Sequence, residues 1–264
     1  MSNMVIRAIT GAVFLVVMIG SILLGGYVLL GVFTLIVFFS LTEYFKLIRN
    51  YSQPMEVPAI AMYLVGFTGV QFLPETLFLP LLVSVAIPLM MTELLRKNEQ
   101  QVIHAITVAF PLVWIVVPMA MLVHIGFHPI QNLEAWKLLL PYFILLWVND
   151  TFAYLNGKLL GKHKLASHIS TGKTIEGTLG GIVFTIIAAF LIYRWLEIFP
   201  LWKWLAAASI MAPLAVASDL FESIFKRKAG VKDSGNMLPG HGGLLDRFDS
   251  VFFTAPIYYL IMHW

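Results

Sequence analysis

Cysteine is absent from the 264 residues, which excludes disulfides and thiolate metal sites. Charge is scarce too: Asp, Glu, Lys and Arg make up 12% of the chain, about half the share of a soluble globular domain. With 59% hydrophobic residues and a mean hydropathy of +0.87, the chain reads as an integral membrane protein. At about 20 residues per span, this length leaves little beyond spanning helices and their loops, so a single membrane domain over 1–264 is expected, without a soluble appendage. The net charge of +3 is too small to argue for a nucleic-acid partner, and no internal repeat or low-complexity segment is found.

What is present is apolar runs separated by polar or Gly/Pro breaks. They give an all-α polytopic fold of about nine transmembrane helices, near 8–24, 27–45, 58–73, 76–93, 105–125, 137–156, 178–196, 204–226 and 244–264. Helices are required because open strands leave unsatisfied backbone groups in lipid. The run Ala8 to Leu24 is long for a signal peptide and lacks a small-x-small cleavage site, so it is expected to be a retained first helix. With the N-terminus placed in the cytoplasm, 14 Lys and Arg residues, Lys97 among them, fall on that side. Lys137, Arg194 and Lys203 fall on the other. This positive-inside bias predicts a cytoplasmic N-terminus, an external C-terminus and both long polar loops inside. Residues 1–125 are expected to be helical scaffold, and 126–264 to carry the catalytic helices and cytoplasmic loops.

Charge that is scarce overall is concentrated late in the chain: ten of the 31 charged residues fall between Asp219 and Asp249. Asp219, Glu222, Ser223 and Lys226 stand at i, i+3, i+4 and i+7, on one face of the eighth helix. Ionisable groups at that depth are costly in lipid and should face a cavity or the bundle interior. The structural alternative is an i, i+4 ion pair between Glu222 and Lys226, with Asp219 paired to a base elsewhere. Val251 to Trp264 is too short to span, so the last helix must begin near Leu244, which places Asp246, Arg247 and Asp249 in its first turns. The two acidic groups can then converge.

Carboxylates beside Lys226, Arg227, Lys232 and Arg247, with Gly240, Gly242 and Gly243 allowing close backbone approach, suggest a divalent metal bridging a phosphorylated substrate. The hard donors favour Mg²⁺ over zinc, and a second cation is left open. His241 is either a phosphate contact or acid/base group, or simply a loop histidine. The loop 156–177 has a phosphate-binding composition, but Gly172-Lys173-Thr174 fails as the end of a Walker A motif: Ser167 stands where the upstream glycine is required, and no strand is expected before it. Its lysines serve equally well as topology signals. Asp150, near the inner end of the sixth span, is a further buried-acid candidate.

The stretch Ser223-x-x-Lys226-Arg227-x4-Lys232-Asp233-Ser-Gly-x-x-Leu238-Pro239-Gly240-His241-Gly242-Gly243-Leu-x-Asp246-Arg247-Phe-Asp249 resembles the signature of phosphatidate cytidylyltransferases over all 27 positions. Trp147-Val-Asn-Asp150-Thr-Phe-Ala-Tyr154 and Lys173-Thr-x-Glu176-Gly177 are similar to a second stretch of that family. The resemblance implies a multi-pass cell-membrane enzyme that makes CDP-diacylglycerol and pyrophosphate from CTP and inner-leaflet phosphatidate with Mg²⁺, its active site facing the cytoplasm. It implies metal binding at Asp219 and Asp246; from their place on the same two helices, Glu222 and Asp249 are expected as supporting or additional ligands. Phosphates fall to Lys226, Arg227, Lys232 and Arg247, with Asp233 and His241 in the catalytic set. Ser170, Lys173, Ser223, Asp150 and the three glycines are the substrate-binding candidates. A homodimer stays open. The rival classes are an ion-coupled membrane transporter, which should show pseudo-symmetric halves, and a CDP-alcohol phosphotransferase, whose Asp-Gly-led motif is missing because the chain contains no Asp-Gly pair.

Overall fold

A computed structural model describes residues 3–96, 99–167, 169–240 and 242–264, with the side chains of Asn3 and Met4 left aside. Lys97, His168 and His241 lie outside the described residues. Each predicted apolar run is helical. In order these are α1 (Asn3–Leu24), α2 (Gly26–Ile48), α3 (Glu56–Gly69, extended by a 3₁₀ turn Val70–Phe72), α4 (Glu75–Leu95), α5 (Gln101–Pro111), α6 (Val117–Phe127), α7 (Trp136–Leu160), α8 (Ile175–Leu196), α9 (Leu201–Lys228) and α10 (Leu245–His263).

Helices α5 and α6 form one continuous rod through a π turn at Leu112–Val116. Pro111 and Pro118 flank that turn and cannot donate to the helical ladder, which is the physical reason the register slips there. Seven segments among the described residues are long and apolar enough to cross a membrane; α3 with its 3₁₀ extension is shorter. Helix α10 carries Asp246, Arg247 and Asp249 in its first turns. The core is packed by large buried side chains, among them Tyr44, Tyr63, Tyr142, Trp204, Phe248 and Tyr258. Outward-facing Val16, Leu35, Val65, Ile87, Val113 and Leu191 form an apolar coat, as lipid contact requires.

One element departs from the sequence reading. The loop after α7 contains an antiparallel hairpin, β1 (Lys164–Ala166) and β2 (Ser170–Thr174). A strand is therefore present where none was expected, but Gly172, Lys173 and Thr174 lie within β2 and not in a loop that follows a strand, so the strand–loop–helix order of a Walker A motif is not met among the described residues. Thr174 instead caps α8, its hydroxyl accepting from the Gly177 amide at 3.1 Å. Glu176 ties the hairpin down, accepting from His163 Nδ1 at 2.6 Å and the Lys162 amide at 3.1 Å. Helices α7 and α8 approach closely: a side-chain carbon at Gly177 would lie 2.6 Å from the Ala153 carbonyl.

The two long polar loops, 161–174 and 229–244, gather at one end of the bundle with the connections that follow α2 and α4. Tyr51 donates to the Lys228 carbonyl, the Arg96 guanidinium donates to the Gln53 carbonyl at 3.4 Å, and Arg7 packs against Gly240. At the opposite end lie the Leu73-Pro74 turn, His128, Trp136, Lys203 and His263, joined by bonds such as His128 Nε2 to the Gln71 carbonyl (3.0 Å) and Lys203 Nζ to the Met262 carbonyl (3.0 Å).

Candidate active site

Helices α9 and α10 pack side by side, and the last turns of α9 are polar on the face turned inward. That face buries Ser218, Glu222, Ser223 and Lys226. The Ser218 hydroxyl donates to the Asp249 carbonyl, fixing the register of α9 against α10. The consequence is an acidic cluster: one carboxylate oxygen from each of Asp219, Glu222 and Asp249 lies within 4.8 Å of the other two. Three carboxylates so close repel one another unless a cation or protons intervene.

Both halves of the structural alternative are realised beside this cluster. Lys226 Nζ donates to Glu222 Oε2 at 2.6 Å, and Lys173 of β2 reaches Asp219 Oδ2 at 2.5 Å. Lys173 also donates to the Val216 carbonyl at 3.2 Å, which holds the hairpin over α9. Ser223 Oγ approaches Asp219 Oδ1 at 3.4 Å, and Asp249 Oδ1 accepts from the Ser250 amide at 2.6 Å. Glu222 Oε1 is buried and has no hydrogen-bond partner among the described residues. An orphaned carboxyl oxygen within a group of all-oxygen donors fits a hard divalent cation.

Asp246, expected with Asp219 as a principal ligand, lies outside this cluster. Its Oδ1 accepts from Lys226 at 2.7 Å, and its Oδ2 from the amides of Ser234 and Gly243, each at 2.9 Å, and from Ser234 Oγ at 3.0 Å. Asp246 therefore pins the loop 229–244 to the start of α10, with Lys226 joining it to Glu222. The loop glycines allow close approach, but of side chains: an added carbon at Gly243 would run into Glu43 and Ser234, and Gly242 adopts a φ of +80° that favours glycine.

Glu43 was not singled out from the sequence. It stands near the end of α2, 4% exposed, and accepts from the Leu245 amide at 2.8 Å, the Leu244 amide at 3.2 Å and Ser234 Oγ at 3.0 Å. It thereby satisfies the free amides at the start of α10, which that helix cannot satisfy itself. The available signal was an acid in an otherwise apolar helix.

Asp150, Lys158, Lys173 and Asp219 line a cavity of about 400 Å³ between α7, α8, α9 and β2, with Asn149, Gly172, Thr174 and Ser250 in its wall. Ser170 is at the start of β2, outside that wall. Arg247 is exposed and enters none of the ion pairs formed among the described residues; with Asp150 it lines a smaller cavity beside Phe14. Arg227 donates to the Val231 carbonyl at 3.3 Å, while Lys232 and Asp233 are exposed on the loop. His241 lies outside the described residues.

The model of the cytidylyltransferase family matches residues 5–264. The chain is 42% identical over 130 residues to a phosphatidate cytidylyltransferase of Staphylococcus epidermidis, covering 49% of this chain and 50% of that protein. It is 43% identical over 130 residues to the Staphylococcus aureus protein of the same name, covering 49% and 50% respectively. It is 44% identical over 121 residues to that of Staphylococcus haemolyticus, covering 46% of each. The matched stretch spans about half the length of these relatives. With a family match along almost its whole length and a site of carboxylates and lysines where two polar helices meet, the chain belongs to the cytidylyltransferase family.

Proposed function

We propose that the protein is a phosphatidate cytidylyltransferase. An oxygen of the phosphatidate phosphate attacks the α-phosphorus of CTP, the bond from that phosphorus to the β-phosphate oxygen breaks, and CDP-diacylglycerol and pyrophosphate result. The observation that carries this reading is the acidic cluster of Asp219, Glu222 and Asp249 beside a lysine-lined cavity at one end of a membrane bundle. The nucleophile is already anionic, so no serine or cysteine needs activation. What the site must do is hold two polyanions together and stabilise the departing charge.

Asp219, Glu222 and Asp249 are the side chains that would hold Mg²⁺. When bound there, the ion supplies charge neutralisation for the phosphates and polarises the reacting phosphoryl group. Lys173 and Lys158 present positive charge to the nucleotide's phosphates from the cavity wall, and Lys226, bonded to both Glu222 and Asp246, orients the two carboxyl groups. Arg247, which shares the small cavity with Asp150 and enters no ion pair among the described residues, takes the lipid phosphate. Arg227 and Lys232 add positive potential at the entrance. The site end faces the cytoplasm, consistent with 14 of the 17 Lys and Arg residues being assigned to that side. CTP and an inner-leaflet lipid then both reach it without crossing the bilayer. The family match and the crowding of polar positions into one end of the bundle weigh against a transporter.

The test is purified protein in detergent with labelled CTP, phosphatidate and Mg²⁺. Lipid-linked cytidine and stoichiometric pyrophosphate are expected, and absence of both with an intact fold overturns the reading.

A further inference from the structure

Three cavities run in series through the site end. The lysine-lined cavity shares Asp150 and Ser250 with a small one of about 30 Å³ that holds Arg247. That small cavity shares Phe14 and Met18 with a groove of about 390 Å³ between α1, α2 and the loop before α10. The groove is walled by Ile9, Val13, Val17, Leu35 and Phe39, and Ile9, Val13, Val17 and Leu35 are also exposed on the lipid-facing coat. Between groove and cluster, Phe14 and Phe248 stand edge to face with centroids 5.9 Å apart. Arg7, two residues before the first groove residue Ile9, packs against Gly240.

We infer that the lipid substrate enters from the α1–α2 side, with an acyl chain in this groove and its phosphate on Arg247, while the nucleotide occupies the α7–α8–β2 side. The reacting phosphates then meet at the acidic cluster from opposite directions. This rests on the cytidylyl-transfer reading. Four features select the occupant. The groove is apolar and continuous with the bilayer-facing surface, so it takes a hydrocarbon. Its volume is in the range of a small-molecule site, and a helix about 10 Å across would not fit. Its inner end leads to an exposed guanidinium suited to a phosphate monoester. Finally, it connects to the cluster through shared walls, whereas a groove of about 400 Å³ between α2 and α3, lined by Lys46, Arg49 and Val57, shares no wall residue with the series.

Val13→Trp and Leu35→Trp, both at lipid-facing positions, narrow the groove; Val57→Trp does the same to the unconnected groove and serves as control. In mixed micelles, with phosphatidate varied as a surface fraction, the two groove variants should raise the lipid KM about fivefold or more. Their kcat and CTP KM should stay within about twofold of the unsubstituted protein. The increase should shrink with a phosphatidate of short acyl chains, and Val57→Trp should behave as the unsubstituted protein. An unchanged lipid KM in both groove variants, an equal rise in CTP KM, or an effect of Val57→Trp alone overturns the entry route. If the unsubstituted protein forms no lipid-linked cytidine, it is the proposed reaction that fails.

Discussion

The two ends of the bundle solve the same problem in opposite ways. At the end away from the site, polar side chains are spent on neighbouring backbone. Lys203 donates to the Met262 carbonyl and also lies 5.0 Å from the Phe199 ring; His128 bonds the Gln71 carbonyl, and His263 the Tyr259 carbonyl. Exceptions are His124, which packs by its ring faces, stacked on His128 at 4.0 Å, and two single atoms, Gln71 Oε1 and Trp204 Nε1; among the described residues these and both His124 nitrogens have no hydrogen-bond partner. At the site end, carboxylates crowd one another, and Glu222 keeps a buried oxygen without a partner. Paired groups fasten helices together; crowded like charges store unfavourable energy that a bound cation and its phosphates can relieve. One end is therefore built for stability and the other for binding.

The sharpest break of this contrast is Asp249→Asn. If the cluster exists to bind, activity should fall by about a thousandfold or more, roughly 4 kcal/mol of transition-state stabilisation, in initial-rate assays. Thermal unfolding in detergent should meanwhile be unchanged or shifted upward, because one repelling charge is gone. Loss of activity and stability together would make the cluster a fastener like those at the other end. Glu43→Ala asks how the loop 229–244 is held. It strips the Leu244 and Leu245 amides and the Ser234 hydroxyl of their acceptor, at a cost of about 2–4 kcal/mol. The midpoint of unfolding and proteolysis within the loop should both report this, and Glu43→Gln, which keeps one acceptor oxygen, should do so less. Lys173→Met removes the cation over Asp219 and should lower kcat/KM for CTP by about ten- to a hundredfold, mainly through KM.

Much of this architecture is legible in the sequence because a bilayer enforces a simple rule: a buried backbone must be helical and a spanning run apolar. All nine runs are helices for that reason. The face shared by Asp219, Glu222, Ser223 and Lys226 is equally legible, since helical phase alone sets it. Phase misleads at Asp246. It is three residues before Asp249 and so on the same face, but it stands in the first turn, where free amides of the adjoining loop compete for its carboxylate. The hairpin is a tertiary product: β2 is held by Lys173 reaching α9 and by Glu176 gripping the far side of the turn, contacts that local pattern does not announce. Glu43 reads as an acid a turn before Lys46, an ordinary interfacial arrangement, until the α10 amides are found beside it across two hundred residues of chain.

Lys203→Met gives the smallest expected effect and the cleanest control. Lys203 is buried at the end away from the site, and its ammonium has the Met262 carbonyl as acceptor and the Phe199 and Trp202 rings at 5.0 and 5.9 Å. Methionine keeps most of the apolar stem and removes the donor, so about 0.5–1.5 kcal/mol of stability should be lost, partly offset because no buried charge remains to be solvated. Since α10 runs from this end to Asp249, a fastener that also positioned the cluster would lower kcat when weakened. An unchanged kcat with a small drop in the unfolding midpoint means the ends are energetically separate. A matching fall in kcat means that α10 transmits its packing along its length, and the division between stabilising and binding ends would have to be redrawn.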